Sequence, residues 1–400
     1  MAFLETLRKS GLVTDPDVLE ALSSEPRAPH HPPDYAPLLS ADIPVPTHYR
    51  MATDRPSPSP SVVALLLQMA ELEPGLGVAV LDGDPYTLAL ARRLVAPARV
   101  SGEEVLFGAA VKPPYDRVIV TVEGVERLQA AFAKNHVADG GFALVPRYGP
   151  GGPEILKVLC SGAEFLEMRI TSLGVPAAGI HADEVPGRNR LARALSVDRS
   201  MQNLWTGTGE SPRDQHFAEV VADTFKDSRT VAAGLPAEEY ARGEIARKAF
   251  GCAYVHQAAG ELDAAVDAYQ ASLTVHQTSE AHTFLGWTYS FQGHLEEAIQ
   301  ECHRAIEADP TFGNPYNDIG AYLLELGKPE EATPWFEKAK ASERYCCYFY
   351  AHTNLARAYL LQGMRERARR ELQEAVEKYP HYEPAREMLW QMDRHDDSFG

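Results

Sequence analysis

The first stretch that could do chemistry is a turn between a strand and a helix, formed by Asp82, Gly83 and Asp84. It follows the apolar run Val78–Leu81, which predicts a buried strand, and precedes a helical pattern over Tyr86–Val95. A strand, a glycine-containing turn and a helix open a doubly wound α/β domain, where the turn lies beside a bound cofactor. Glycine lets the backbone approach that cofactor, and an acid at a strand end grips ribose hydroxyls. These three residues are therefore the candidate cofactor-binding residues.

Metal or redox chemistry has weaker support. The potential ligands are His30-His31, Cys346-Cys347, and His181 with Asp183 and His216. The paired histidines lie in a proline-rich loop and are interpreted as solvated. Adjacent cysteines chelate metals poorly, the chain has no Cys-x-x-Cys motif, and the last group lacks two ligands one helical turn apart. We expect no metal site.

The elements around the turn predict an open sheet with helices on it. Further strands are predicted at Arg117–Thr121, Phe142–Pro146, Ile155–Cys160 and Glu167–Ile170. A turn at Gly140-Gly141 is predicted before the strand Phe142–Pro146. No strand is predicted between residues 95 and 114. The last two strands form a hairpin-like pair. The strands Val78–Leu81 and Arg117–Thr121 are both largely apolar, so we expect them side by side or one apart at the sheet centre.

This order of elements and several motifs resemble the protein-L-isoaspartate O-methyltransferase family over roughly residues 15–178. The matching segments are Val18-Leu19, Pro26-Arg27, Pro44-Val45-Pro46, Leu72-Glu73-Pro74-Gly75, Pro114–Thr121, Ala138-Asp139-Gly140-Gly141 and Val145-Pro146. The resemblance implies a Rossmann-like sheet and an enzyme that uses S-adenosylmethionine to methylate isoaspartyl carboxylates in damaged proteins.

Three departures from that family predict a reduced domain without cofactor or catalytic residues. The family has three alternating glycines in the turn, whereas Gly83 stands alone here and Pro85 occupies the third place. Residues 95–114 are too few for a βαβ unit, which needs about 30 residues. The family's Thr-Ile-Ser run corresponds to Ala52-Thr53-Asp54, and Asp54 would repel a substrate carboxylate. The turn Asp82–Asp84 is therefore interpreted as vestigial.

A second pattern is an internal repeat over residues 246–380. Ala265, Ala298, Ala332 and Ala368 recur at intervals near 34 residues, the period of tetratricopeptide (TPR) repeats, which this stretch resembles. Each such repeat is a pair of antiparallel helices that cross closely at Gly or Ala, and neighbouring pairs stack into a solenoid. Residues Tyr382–Met392 are predicted to form a capping helix.

The TPR resemblance implies that the first helix of each repeat lines a concave face that binds a protein or peptide. The candidate partner groove is Phe250, Tyr254, Thr283, Trp287, Phe291, Asn314, Asn317, Tyr350 and Arg357. Aromatic residues and Arg are the usual hot spots of interfaces. The groove lacks several lysines that would capture a terminal carboxylate, so an internal or apolar segment is expected. In the alternative, Trp287 and Phe291 pack against residues 177–235 or the N-terminal domain of the same chain.

Composition excludes several function classes. The formal net charge of −18 argues against nucleic acid and anionic membranes as partners. No apolar run reaches the ~18 residues of a membrane span, and the first eleven residues lack a signal-peptide core. Five scattered cysteines, an odd number, fit reduced thiols in a cytoplasm.

These observations predict an α/β plus all-α protein, with a reduced S-adenosylmethionine-methyltransferase-like sheet followed by a TPR helical solenoid. The predicted domains are a methyltransferase-like domain (1–178), a connector with one helix (179–235) and a TPR domain with a capping helix (236–400). The favoured function is a protein-interaction scaffold whose methyltransferase-like domain is inactive and has no cofactor. The alternative is an active S-adenosylmethionine-dependent methyltransferase whose repeats recruit substrates.

Overall fold

The computed structural model describes residues 2–47, 56–81, 84–95, 100–101, 114–121, 136–149, 152–162, 164–170, 186–209, 211–232, 234–345 and 347–397. Contacts between residues divide the chain into two compact units. Unit 1 comprises Met1–Ala222 and Glu244–Val275, and unit 2 comprises Asp223–Gly243 and His276–Gly400. The three domains expected from the sequence stay a prediction.

Unit 1 is built on a mixed sheet whose described strands lie in the order β2-β1-β3-β4-β5-β6. The strands are β1 Val78–Leu81, β2 Val100–Ser101, β3 Tyr115–Val120, β4 Val137–Gly149, β5 Gly152–Ser161 and β6 Glu164–Ile170. Neighbours from β2 to β4 are parallel, and β4, β5 and β6 are antiparallel. The expected neighbours β1 and β3 do pair, from Val78 with Arg117 to Leu81 with Val120, and neither lies at an edge.

Two expectations about the sheet are wrong. A short strand, β2, lies within residues 95–114, where none was predicted, and its two residues pair with β1. Gly140 and Gly141 lie inside β4 rather than in a turn before it. Gly140 has a φ of +77°, and a Cβ on Gly141 would come within 2.7 Å of the Asp116 carbonyl oxygen. The glycines therefore permit an irregularity in the strand, and the β3–β4 register shifts there.

Helices and 3-10 turns cover the sheet of unit 1. The helices wholly or mostly in this unit are α1 Ala2–Ser10, α2 Pro16–Ser24, α3 Pro60–Met69, α4 Pro85–Leu94, α5 Pro186–Thr206, α6 Pro212–Phe225, α7 Ala237–Ala258 and α8 Leu262–Val275, with 3-10 helices at Ala28–His30 and Pro33–Ser40. Helix α3 is buried on all sides from Pro60 to Leu67, which explains why its sequence is apolar around the whole helix. It belongs to one core with Ile119 and Phe142 of the sheet.

Helix α5 corrects the expectation that residues 179–235 hold a single helix. It has 21 residues, and Leu191 and Leu195 are fully buried in the main core of unit 1. Arginines such as Arg190 and Arg193 interrupt its apolar residues, and this mixture concealed the helical pattern in the sequence. The second helix of the segment, α6, contains the predicted helical residues Phe217–Phe225.

A buried charged histidine ties α7 and α8 to the rest of unit 1. His256 of α7 lies 2.9 Å from a Glu261 carboxylate oxygen through Nδ1 and 2.8 Å from the Asp42 carbonyl oxygen through Nε2. A carbonyl and an ionised carboxylate only accept, so both ring nitrogens must donate and the ring is an imidazolium. Glu261 also accepts from Arg193 of α5 at 3.0 Å. Burial acts to lower the pKa of His256, but Glu261 and Asp42 raise it above its usual value.

We predict that this histidine makes unit 1 less stable at alkaline pH. Because the pKa of His256 is raised in the folded state, its contribution is complete below about pH 6.5 and is lost as pH rises through the folded value. His256→Gln should weaken protection of the α7 and α8 amides by about 2–3 kcal/mol near pH 6.5. Hydrogen exchange from pH 6.5 to 9 should show a decline in the wild type and a flatter profile in the variant; parallel profiles would contradict the assignment.

Unit 2 is an array of paired helices. Its helices are α9 Ser279–Phe291, α10 Leu295–Ala308, α11 Asn314–Glu325, α12 Pro329–Ala341, α13 Tyr348–Leu361, α14 Arg365–Lys378 and α15 Glu383–Asp397. Gly293, Gly327 and Gly363 have φ of +82°, +72° and +74° and form the turns inside three pairs. Helix α15 contains the predicted capping residues except Tyr382 and packs on α14. In the part of the chain described, no helix combines the length and apolar character needed to cross a membrane.

The pairs cross where side chains are small or absent. In α11, a Cβ on Gly320 would lie 2.5 Å from the Phe336 ring of α12. Ala332 and Ala339 of α12 are fully buried in the same pair. The close crossing, rather than helix propensity, therefore explains glycine in the middle of α11.

We predict that Gly320→Ala destabilises unit 2. Alanine favours a helix over glycine by about 1 kcal/mol, but overpacking a core costs about 1–3 kcal/mol. The cost of the clash with Phe336 should therefore equal or exceed the gain in helix propensity. Thermal unfolding of Gly320→Ala, Phe336→Leu and the double variant forms a cycle. The smaller side chain should accommodate the new methyl group, giving a favourable coupling of at least about 0.5 kcal/mol. Additive effects would mean that the two positions do not meet as described.

Candidate functional site

The amino end of α4 is the one part of the predicted cofactor turn that the structure describes, since Asp82 and Gly83 lie outside the described residues. Asp84 is buried and caps the helix: its carboxylate accepts from the Thr87 backbone N–H at 2.7 Å and from the Thr87 hydroxyl. The other oxygen accepts from the Ser57 hydroxyl at 2.6 Å. Pro85 follows at the first helical position and has no N–H. The carboxylate and the helix end therefore satisfy each other.

A buried polar cluster lies beside Asp84, and it corrects the interpretation of His30-His31 as solvated. His31 is buried, and its Nδ1 donates to the Pro46 carbonyl at 2.8 Å. Burial and the nearby Arg27 lower its pKa to about 4, so the ring is neutral at pH 7. Burial also raises the pKa of Tyr86 to about 12. The proline-rich segment thus folds onto α4 instead of remaining in solvent.

Arg27 explains why this segment is ordered. Its guanidinium donates to the carbonyl oxygens of Leu39, Ala41 and Ile43 at 3.2, 3.0 and 3.2 Å. One buried side chain thereby fixes a stretch that has little backbone hydrogen bonding of its own. Among the described residues, no group of histidines, cysteines and carboxylates is arranged to hold a metal ion.

The described residues of the turn offer few free groups to a bound S-adenosylmethionine. A cofactor at a helix amino end needs free backbone donors, but here Asp84 occupies the Thr87 N–H and Pro85 supplies none. A ribose-binding acid needs a free carboxylate, and both Asp84 oxygens accept from residues of the chain itself. The described side chains favour a self-capped turn over a cofactor turn.

An exposed aromatic row lies on α9 of unit 2. Trp287 is 42% exposed and Phe291 is 56% exposed, and their ring centroids lie 5.5 Å apart. Phe284, one turn earlier, supports Trp287 with an edge-on contact at 5.5 Å. Spacings of three and four residues place all three rings on one helix face. This row is the kind of surface that an interface would bury.

A chain of polar side chains runs across α11 and α13. The Arg357 guanidinium donates to Asn354 at 3.2 Å, Asn354 donates to Asn317 at 3.1 Å, and Asn317 donates to Asp318 at 3.2 Å. Burial raises the pKa of Asp318 to about 7, and the Asn317 amide offsets this only in part. Asn354 is not among the residues predicted from the sequence, although it lies three residues before Arg357 on the same helix.

The remaining predicted groove residues are placed differently from one another. Phe250 is fully buried against Tyr269 within unit 1, so it presents no surface to a partner. Tyr254 packs edge-on against Phe217, also within unit 1. Thr283 is buried and its hydroxyl donates to the Ser279 carbonyl.

The other groove residues lie in unit 2. Asn314 is half-buried and Asn317 is buried. Tyr350 is 44% exposed and contacts Tyr382, whereas Arg357 is exposed. The groove as a whole stays a prediction, and its accessible members are on unit 2.

Comparison with known proteins supports both parts of this description. Tetratricopeptide-repeat family models match residues 279–312 and 350–382. A protein-L-isoaspartate O-methyltransferase of Aeropyrum pernix is 38% identical over 100 residues, which are 24% of this chain. The match covers 36% of that enzyme, so the chain spans about a third of its length.

Solved structures are similar over parts of their length. The match with the crystal structure of MamA spans 33% of this chain and 77% of the MamA chain, with 19% identity and a TM-score of 0.31. A structure of PilF from Pseudomonas aeruginosa matches 40% of this chain and 72% of its own chain, with 16% identity and a TM-score of 0.38. The first TPR of RPAP3, bound to the HSP90 peptide SRMEEVD, covers 30% and 93%, with 22% identity and a TM-score of 0.28.

The small-residue period, the glycine turns inside the helix pairs and the two family matches agree for the C-terminal part. The parallel strands and the partial identity agree for the N-terminal part. The chain therefore joins an N-terminal segment related to protein-L-isoaspartate O-methyltransferases to tetratricopeptide repeats.

Proposed function

We propose that this protein is an interaction scaffold that binds a segment of a partner protein on unit 2. The observation that carries the proposal is the exposed pair Trp287 and Phe291 on a folded helix. Fully burying one such side chain stabilises a complex by about 1.5–3 kcal/mol. The Trp287 ring is already held by Phe284, so little of its side-chain freedom would be lost on binding.

The polar chain supplies the second part of the proposed recognition. Asn354 and Asn317 are oriented by their neighbours before any partner arrives. Arg357 is exposed at one end of this row of hydrogen-bonded polar side chains, where its guanidinium can meet a carbonyl or carboxylate. An internal or apolar segment of a protein fits an aromatic row followed by amide groups better than nucleic acid or a membrane surface does. A cytoplasmic location remains part of the proposal.

The methyltransferase-like part is proposed to be a pseudoenzyme. The self-capped α4 turn supports this, because a ligand there would have to displace the Ser57 and Thr87 contacts of Asp84. The second candidate is an active S-adenosylmethionine-dependent methyltransferase with substrate recruitment by the repeats, which the partial identity to that enzyme family favours.

Trp287→Ala tests the proposed groove. We expect loss of partner capture by at least about tenfold, as for a hot-spot residue, with little change in melting temperature. Full-length bait proteins in lysate of the source organism, compared by quantitative mass spectrometry, provide the measurement. Trp390→Ala is the matched control, since that tryptophan is 55% exposed on α15. A melting temperature lowered by several degrees with unchanged capture would mean that the aromatic row is part of the core.

Addition of S-adenosylmethionine tests the pseudoenzyme. We expect no stabilisation, whereas a ligand at 100 times its dissociation constant would add about 2.7 kcal/mol. Asp84→Ala should itself cost about 0.5–2 kcal/mol through loss of the helix cap, again without a response to the cofactor. Calorimetry that gives saturable binding in the wild type and none in Asp84→Ala or Asp82→Ala would instead support the enzyme.

A further inference from the structure

An exposed strip of basic and apolar side chains lies at the turn between α13 and α14. Its members are Arg357, Leu361, Met364, Arg367 and Arg370, here termed the basic ridge. Leu361 is 64% exposed and Met364 is 40% exposed, although both are apolar. Arginines flank these two apolar side chains on both sides, and exposed apolar surface bordered by polar residues is typical of an interaction site.

Local geometry makes the ridge continuous. Arg357 and Leu361 are four residues apart on α13 and share a face. Across the turn, Arg367 Nη1 lies 3.8 Å from Met364 Sδ, and its guanidinium stands over the Tyr359 ring at 5.7 Å. Arg370 follows one turn later on α14. The order along the chain is therefore base, two apolar side chains, then two bases.

The charges of the ridge are not neutralised by the described part of the chain. Arg357 bonds to the neutral Asn354 side chain, Arg367 contacts Met364 and Tyr359, and Arg370 bonds at 3.4 Å to the Glu366 carbonyl. Within the described residues, none of these three guanidinium groups lies within ion-pair distance of a carboxylate. Their neighbour Arg369, in contrast, pairs with Asp393.

The nearby carboxylates do not neutralise these three guanidinium groups. Glu371 of the same helix is occupied by Lys340 and His352, and Glu374 lies 4.0 Å from Lys378. The exposed Glu366 carboxylate offsets one of the three positive charges. A surplus of positive charge thus remains around the two exposed apolar side chains.

We propose that the basic ridge binds a short acidic protein segment that carries an apolar residue between its carboxylates. The apolar residue would bury Leu361 and Met364, while carboxylates on either side meet Arg357 and the Arg367–Arg370 pair. Guanidinium groups pair with carboxylates through two parallel hydrogen bonds, which suits this arrangement. The ridge shares Arg357 with the polar chain of the proposed function but has no residue in common with the aromatic row on α9. Its acidic ligand therefore goes beyond the proposed function.

Charge complementarity favours a protein segment over other anions. Nucleic-acid binders that depend on phosphate contacts commonly neutralise about 6–10 phosphates, whereas the ridge offers three guanidinium groups. The chain as a whole has a formal net charge of −18, which opposes an extended polyanion. A segment of two to four carboxylates is small enough to lie within the ridge.

Fluorescence anisotropy with a defined probe tests this inference on the full chain. The probe is the labelled peptide acetyl-Gly-Glu-Asp-Leu-Ile-Asp-Glu-Gly-amide, whose blocked termini exclude capture of a terminal carboxylate. We expect binding that weakens with added salt, because exposed charges are screened beyond about 8 Å at 0.15 M ionic strength. A peptide with Lys in place of every acidic residue should bind at least about tenfold more weakly.

Charge-reversal variants locate the binding. Arg367→Glu with Arg370→Glu should raise the dissociation constant at least about tenfold. Lys226→Glu with Lys328→Glu, at two exposed positions of unit 2, makes the same change in net charge and should leave it within about twofold. Trp287→Ala should not affect the peptide, so failure of the proposed groove and failure of the ridge can be told apart. If Arg367→Glu with Arg370→Glu lowers the melting temperature, the variant Arg367→Gln with Arg370→Gln is used instead.

Several outcomes would overturn the inference. They are absence of peptide binding by the wild type up to about 1 mM, equal weakening by the two charge-reversal pairs, and unchanged binding by Arg367→Glu with Arg370→Glu. Ridge-dependent binding of phosphatidylserine vesicles without peptide binding would assign the surface to lipid instead.

Discussion

The close crossing of paired helices is the constraint on which the exposed faces of unit 2 depend. Ala298, Ala332 and Ala368 are fully buried in the second helices of their pairs, and Gly320 leaves room for the Phe336 ring in the α11–α12 pair. A pair that crosses this closely has only one rotation of each helix that avoids a clash. That rotation decides which side chains of the first helices point away from the crossing. Trp287 and Phe291 are exposed because the other faces of their helix are committed to packing.

Unit 1 shows how a helix amino end can be closed by its own chain. The first turn of a helix attracts anions because its N–H groups are free. In α4, a buried aspartate supplies the anion and proline removes one donor. A ligand would have to replace Asp84, and with it a cap worth about 0.5–2 kcal/mol. The side chains at the turn, rather than relatedness to a methyltransferase segment, therefore decide whether a cofactor can bind there.

Much of the fold could be predicted because its signals are local and repeated. The interval near 34 residues predicted the helix pairs of unit 2, since each repeat restates the same small residues and glycine turn. The largely apolar runs of β1 and β3 predicted their adjacent places away from the sheet edges, because strands buried on both faces are mostly apolar.

What could not be predicted depends on distant contacts. The segment around His31 has no periodicity, so its composition predicts a solvated loop. It is held in place by Arg27, which donates to three carbonyl oxygens, and His31 is buried there. Helix α5 has its buried leucines separated by arginines whose partners lie elsewhere, as Arg193 shows with Glu261. Asn354 acquires its place from Asn317 of another helix. Each is a pairing between residues far apart in sequence, and no local pattern encodes it.

The charge of the whole chain and the charge of one surface act over different distances. A net charge of −18 repels acidic molecules at long range, but screening limits that repulsion to about 8 Å at 0.15 M ionic strength. Inside that distance the groups in contact decide the interaction, and at the α13–α14 turn these are arginines beside exposed Leu361 and Met364. Distant repulsion slows the approach of an acidic segment, whereas contact attraction slows its departure. An acidic protein can therefore hold an acidic segment, provided that the segment is short enough to meet the arginines without extending over the carboxylates around them.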